Sequence, residues 1–191
     1  RHARARQERP TDDGRLVAGL ARAPFGEGLR AGSFTVLNLG RSGATAQRQT
    51  DRPYRETDEY AQLLASNYDL AIITLGTNDA KRAFWDEARY AAEYVALIDA
   101  VRAANPAGEI ALGLPVPQKG NKGEWHDRSV INVDVQKIVQ EVAAAAGVTL
   151  LVDFFGALGG VEPDPDLYHD KIHPNDRGYE KLGLEALETV G

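Results

Sequence analysis

Near its C-terminus the sequence reads Asp170-Lys-Ile-His173-Pro174-Asn175, an aspartate and a histidine three residues apart. A histidine can take the proton of an attacking alcohol as general base and return it later as general acid. A carboxylate at its other ring nitrogen fixes the tautomer and stabilises the imidazolium. Two further segments carry groups suited to the other half of such a reaction. Asn38-Leu-Gly-Arg-Ser-Gly43-Ala-Thr45 offers the Gly43 amide, and Gly76-Thr-Asn78-Asp79 offers the Asn78 carboxamide. Each can donate a hydrogen bond to an oxyanion as it forms, and losing one such donor typically costs about 3 kcal/mol of transition-state stabilisation. Taken singly these signals are weak, since Gly-Thr-Asn-Asp is also an ordinary turn with a helix cap and His-Pro is often structural. Their order along the chain, each beyond a strand-like run, gives them weight.

The elements that must position these residues alternate between short apolar runs and amphipathic stretches. Residues 34–38, 70–75, 109–114 and 149–152 are short and aliphatic or β-branched, the pattern of parallel strands buried on both faces. Between and after them the spacing predicts helices over 57–66, capped by Thr57 or Asp58, and over 86–104, where Tyr90, Tyr94, Val95, Ile98 and Val101 share a face. That second helix stops before Asn105-Pro106, because proline disfavours helix at the preceding residue. Two more helices are expected over 130–146, closed by Gly147 as a left-handed cap, and over 176–190. This alternation implies right-handed βαβ crossovers and a three-layer α/β sandwich around a parallel sheet. In such sheets the active site lies beyond the C-terminal ends of the strands.

Length and composition narrow the function classes. A chain of 191 residues has the length of one domain, and 43% hydrophobic with 26% charged residues is ordinary for a globular protein. There is no repeat and no low-complexity linker, so residues 1–15 read as a polar N-terminal segment outside the core and 16–191 as a single domain. A net charge of −6 argues against a nucleic-acid binder. The one basic cluster, Arg1-His-Ala-Arg-Ala-Arg6, lacks interleaved aromatics and reads as a solvated end. With no cysteine there is no disulfide, thiolate metal site or cysteine nucleophile. No apolar run approaches the roughly 18 residues that a membrane span needs.

The three motifs resemble those of the SGNH hydrolases, a family named for four blocks that contribute Ser, Gly, Asn and His. Asn-Leu-Gly-Arg-Ser-Gly-Ala-Thr resembles the glycine block, Leu-Gly-Thr-Asn-Asp the asparagine block and Asp-Lys-Ile-His-Pro-Asn the last block, from about Leu16 to the end of the chain. The resemblance implies a Ser-His-Asp ester hydrolase with His173 and Asp170 catalytic, Gly43 and Asn78 in the oxyanion hole, and no cofactor. It also implies a five-stranded, flavodoxin-like sheet. Pro53-Tyr54, Leu75-Gly-Thr-Asn-Asp-Ala-Lys81 with Trp85 close behind, and Leu114-Pro-Val-Pro117 resemble, more narrowly, sialate O-acetylesterases and other carbohydrate esterases. A small-molecule or carbohydrate ester is then the expected substrate.

The fourth block is absent. The family's nucleophile lies in a Gly-Asp-Ser triplet that closes a first strand, and this sequence has no such triplet; its serines are Ser33, Ser42, Ser66 and Ser129. No strand-like run precedes Leu16. Three readings follow. The chain is expected to be an N-terminally truncated and inactive fragment lacking its first strand, which would be interior in the sheet. Alternatively it is a non-catalytic relative that binds acylated ligands, or Ser42, beside Gly43, substitutes as nucleophile.

Other residues carry less. His126 lies in a loop that could line a substrate cleft or simply face solvent, and Tyr54, Trp85 and Trp125 could stack on a sugar ring or pack in the core. His169 beside Asp170 and His173 matches no usual zinc spacing, so no metal is expected. A flavodoxin-like or Rossmann-type nucleotide-binding module would place Gly-x-Gly-x-x-Gly directly after a strand. Asn38-Leu-Gly-Arg-Ser-Gly43 lacks the first of those glycines, and that reading leaves Asp170 and His173 unexplained.

Overall fold

The structure is a computed structural model that describes residues 35–121 and 126–190, so the polar segment 1–15 and Trp125 lie outside the described residues. In chain order the elements are α1 (Asp58–Ala65), β1 (Leu70–Ile73), α2 (Glu87–Ala104), β2 (Glu109–Gly113), α3 (Gln136–Ala145), β3 (Leu150–Val152), α4 (Phe154–Ala157) and α5 (Asp176–Val190). A π-helical stretch, Val130–Val135, leads into α3, and short 3-10 turns occupy Tyr54–Glu56 and Pro165–Leu167. The helix starts follow their side chains. Thr57 Oγ1 accepts from Tyr60 N at 3.1 Å to cap α1, and Asp86 Oδ1 accepts from Arg89 N at 3.0 Å to cap α2. Gly147, at φ +63°, terminates α3 in the left-handed conformation.

The strands form a parallel sheet in the order β1-β2-β3, with Leu70 opposite Glu109 and Ala111 opposite Leu150. Successive β2 side chains serve opposite faces. Ile110 and Leu112 pack with Ile73, and with Leu97, Ile98 and Val139 from α2 and α3. Ala111 packs with Val152, Phe154, Leu182 and Ala186 on the side of α5. Helices therefore cover both faces of the sheet, and beyond the exposed Glu109 the rest of β2 is apolar and buried on both faces rather than alternating. Leu112, wholly buried, is one residue on which this layer depends; Leu112→Ala would cost about 2–5 kcal/mol.

Residues 35–38 are not a strand, contrary to the expectation from their apolar pattern. Val36 and Leu37 remain 38% and 53% exposed. A strand requires a ladder partner. Among the described residues none pairs with this run, and β1 is hydrogen-bonded only to β2. Gly40 N donates to Asn38 Oδ1 at 3.0 Å, which turns the chain locally instead of continuing it. No helix among the described residues is long and apolar enough to cross a membrane.

Candidate active site

The loop between the Pro165–Leu167 turn and α5 folds around one carboxylate. Asp170 Oδ1 accepts the backbone amides of Ile172 and His173, each at 2.7 Å, and Asp170 Oδ2 lies 2.9 Å from His173 Nδ1. Burial works to raise the Asp170 pKa, but the Ile172 and His173 amides and the His173 ring hold it well below the usual carboxylate range. The anionic acceptor is thus fixed on Nδ1, which leaves Nε2 as the nitrogen for proton transfer. Both side chains are about half exposed.

The loop closes on itself and on its neighbour. His169 N donates to His173 O at 2.9 Å, and Asn175 N donates to Leu167 O at 2.8 Å. Asn175 Oδ1 then accepts from Gly178 N at 3.1 Å at the start of α5. Tyr168 Oη donates to Pro117 O at 2.6 Å, and Lys119 N donates to Lys171 O at 2.9 Å, which ties the loop to the segment leaving β2. That segment is itself held by side-chain amides from the π-helical stretch and the first turn of α3. Asn132 exchanges two hydrogen bonds with the Gln118 backbone at 2.8 and 3.0 Å, and Gln136 Nε2 donates to Pro115 O at 3.0 Å. Side-chain donors thus satisfy the Pro115 and Pro117 carbonyls.

Gly43 sits at φ +78°, a region that glycine adopts at little cost. A Cβ there would lie 3.2 Å from Arg52 Nη1, the same nitrogen that donates to Ser42 O at 2.7 Å. The chain then bridges to the next turn, with Thr45 N donating to Arg52 O at 3.1 Å and Tyr54 N to Thr45 O at 2.9 Å. Asn78 lies in the turn that follows β1, closed by Ala80 N donating to Gly76 O at 3.1 Å. Gly76 is required there twice over: its φ is +136°, and a Cβ would come within 2.6 Å of Tyr90 Oη and 2.7 Å of Val135 Cγ1.

A fully buried carboxylate joins these two turns. Asp79 Oδ2 accepts from Ala46 N at 3.1 Å, and Asp79 Oδ1 accepts from Gln47 N at 2.9 Å. Burial drives its pKa up to about 6 against the pull of the Gln47 and Ala46 amides. Beneath it, the end of β1 is capped from α2. Tyr90 Oη donates to Leu75 O at 2.9 Å and Tyr94 Oη to Ile73 O at 3.2 Å, and burial raises both phenol pKa values.

The expected pairing of Asp170 with His173 is therefore a direct contact, and the turns that carry Gly43 and Asn78 are linked through Asp79. Among the described residues no hydrogen bond joins Ser42 to His173. Ser129 Oγ is engaged with Asp127 at 2.6 Å, and Ser66 Oγ with Gln62 O at 2.7 Å. Tyr54 packs edge-on against Tyr60 with its hydroxyl on Leu39 O at 2.8 Å, which places it in the core rather than on a sugar-binding surface. Trp85 packs on Tyr90 at 5.6 Å between centroids. His126 is buried and bridges to Lys81, so it is not the solvent-facing loop histidine that its setting allowed. Asp79, Tyr90, Tyr94 and Tyr168 were not singled out by sequence as polar determinants of the site. The signal available for Asp79 is its place beside Asn78; Tyr90 and Tyr94 read only as apolar positions.

Comparison with known proteins bears on the family and the fold. Residues 5–181 match the GDSL-like Lipase/Acylhydrolase family. An acetylxylan esterase from Xylanibacter ruminicola is 29% identical over 178 residues, covering 82% of this chain; the chain spans only 35% of the length of that relative. The fold is similar to that of a carbohydrate acetylesterase from Sinorhizobium meliloti (TM-score 0.59, 19% identity, 79% of this chain and 75% of that one). It is also similar to a peptidoglycan O-acetylesterase (TM-score 0.59, 21% identity, 70% of this chain and 40% of that one). A carbohydrate esterase family 3 protein from Talaromyces cellulolyticus shares it as well (TM-score 0.55, 21% identity, 77% of this chain and 66% of that one). With a family match over nearly its whole length and the three-layer parallel fold of these structures, the chain belongs to the GDSL-like lipase/acylhydrolase family.

Proposed function

We propose that this chain carries the base and the oxyanion site of a carboxylic ester hydrolase that removes acyl groups, acetyl on carbohydrate foremost. The observation that carries the reading is the 2.9 Å contact between His173 Nδ1 and Asp170 Oδ2, in a carboxylate already anchored by two backbone amides. His173 Nε2 takes the proton of a serine hydroxyl as that oxygen attacks the ester carbonyl. The tetrahedral oxyanion receives hydrogen bonds from the Gly43 amide and the Asn78 carboxamide. His173 then protonates the departing alcohol, and water repeats the sequence on the acyl-enzyme. Acetyl esters of carbohydrate are favoured as substrates because the acetylxylan esterase relative and the acetylesterases of the same fold carry those names.

The sequence holds no Gly-Asp-Ser, so on this reading a serine from such a segment completes the site and the 191 residues alone turn over no ester. The test is hydrolysis of an aryl acetate and of acetylated xylan by the chain alone and by the chain joined at its N-terminus to a Gly-Asp-Ser-bearing strand. Turnover only in the joined form is expected. Normal turnover by the chain alone would overturn the proposal, and fluorophosphonate labelling of Ser42 would identify the substitute nucleophile. The lack of that triplet also favours a second reading, a non-catalytic relative that retains acylated carbohydrate. Retention of acetylated but not deacetylated xylan, with no turnover in the joined form, would select it.

A further inference from the structure

Gly43 and Asn78 lie in different loops, the second directly after β1, yet an oxyanion hole works only if its donors keep a fixed separation, since misplacement by about 1 Å can cost a hundredfold in rate. Asp79 carries buried hydrogen bonds that span the two turns. It follows Asn78 directly, and its two oxygens take the amides of Ala46 and Gln47, three and four residues beyond Gly43. The acceptor is wholly buried, so these bonds face no competition from water. On the other side of the turn, Gly76 leaves no room between Tyr90 and Val135, so the Asn78 turn cannot slide toward α2. We propose that Asp79 is a positioning residue that clasps the Gly43 loop to the Asn78 turn, so that both oxyanion donors move as one unit. This rests on the ester hydrolase reading for the meaning of the donors, but the clasp itself is measurable without turnover.

The groups around Asp79 allow a clean experiment. The phenols of Tyr90 and Tyr94 face it from α2 and stay protonated. Lys81, two residues on, is engaged with Asp51 at 3.2 Å, and Glu93 of α2 accepts the Arg48 amide. His126 is bridged to Lys81, and His126→Gln removes its imidazole as an alternative source of any pH-dependent change.

The test is a pH titration of the isotopically labelled chain by NMR, reading the backbone amides of Gly43, Ala46 and Gln47 and the side-chain amide of Asn78. All four signals are expected to move with one midpoint near 6. That midpoint should persist in His126→Gln and vanish in Asp79→Asn. If Ala46 and Gln47 titrate while Gly43 and Asn78 stay still, Asp79 is only a local structural acceptor and the proposal falls. It falls equally if none of the four titrates, or if the midpoint disappears in His126→Gln. The wild-type titration decides the matter even if Asp79→Asn does not fold. Absence of ester hydrolysis in the completed protein would defeat the functional reading while leaving this titration unchanged, so the two failures are told apart.

Discussion

Two aspartates in this molecule each accept two backbone amides, and they end with opposite electrostatics. Asp170 takes the Ile172 and His173 amides in a loop that is half exposed, with the His173 ring alongside, and its pKa is held low. Asp79 takes the Ala46 and Gln47 amides in the interior, without a cationic partner at its hydrogen-bonding atoms, and its pKa rises to about 6. Two amide donors lower a carboxylate pKa wherever water or a cation shares the charge, but they do not offset complete desolvation. On the proposed reading, the low pKa keeps Asp170 anionic beside the His173 imidazole.

The sharpest way to separate the two regions is through turnover. In the form completed with a Gly-Asp-Ser segment, His173→Ala should lower kcat/KM by roughly four to six orders of magnitude, and Asp170→Asn by roughly 10⁴-fold. Because both side chains are about half exposed, the melting temperature of His173→Ala should stay near that of the parent, read by thermal denaturation followed by circular dichroism. A large loss of stability instead would make His173 structural and dissolve the contrast.

Asp79 should respond in stability and in pH dependence. Its folded pKa lies above the ordinary 3.8, so the favourable contribution it makes is fully present below about pH 4 and is lost as pH rises through 6. At 1.36 kcal/mol per pH unit of displacement, the stability of the parent relative to Asp79→Asn should fall by about 2 kcal/mol between pH 4 and pH 7.5. Urea denaturation of both proteins at those two pH values measures it. Asp170 has the opposite sign: its contribution is present above the unfolded carboxylate pKa and lost as pH falls toward its depressed folded value. A parallel response of Asp79→Asn and Asp170→Asn to pH would break the comparison.

The same contrast explains what could be read in the sequence. The contact of Asp170 with His173 spans three residues, so its geometry is local and its motif is contiguous. The helix caps at Thr57 and Asp86 are legible for the same reason, being set by neighbours in the chain, and the strands at 70–73, 109–113 and 150–152 show in their apolar runs although their pairing is long-range. The bonds of Asp79 to Ala46 and Gln47 span 33 and 32 residues, and those of Tyr168 to Pro117 and Gln136 to Pro115 span 51 and 21. Nothing in a local pattern shows that a buried tyrosine will spend its hydroxyl on a proline carbonyl across the sheet. The π-helical stretch before α3 was hidden in the same way, since the apolar spacing of 130–146 suits an ordinary helix. The run at 35–38 erred in the other direction: its residue types favour a strand, but strand formation depends on a partner that residue types do not report.

The smallest expected effect tests whether the His173 loop is as self-contained as its local bonds suggest. Tyr168 is buried, and its hydroxyl donates to Pro117 O at 2.6 Å; Lys119 Nζ lies 5.4 Å from the centre of the same ring. Tyr168→Phe keeps the ring and its cation contact and removes only the hydroxyl. It leaves the Pro117 carbonyl short of a donor, at a cost of about 1–2 kcal/mol, or roughly 3–6 °C in Tm. If Asp170 and His173 are organised mainly by their own short loop, the His173 Nδ1 proton resonance should persist in this variant with the same exchange behaviour despite the lower Tm. Loss of that resonance would show that the anchor to Pro117, and not the three-residue spacing, holds the pair together. The His173 loop would then depend on long-range contacts as fully as the Gly43 and Asn78 turns do.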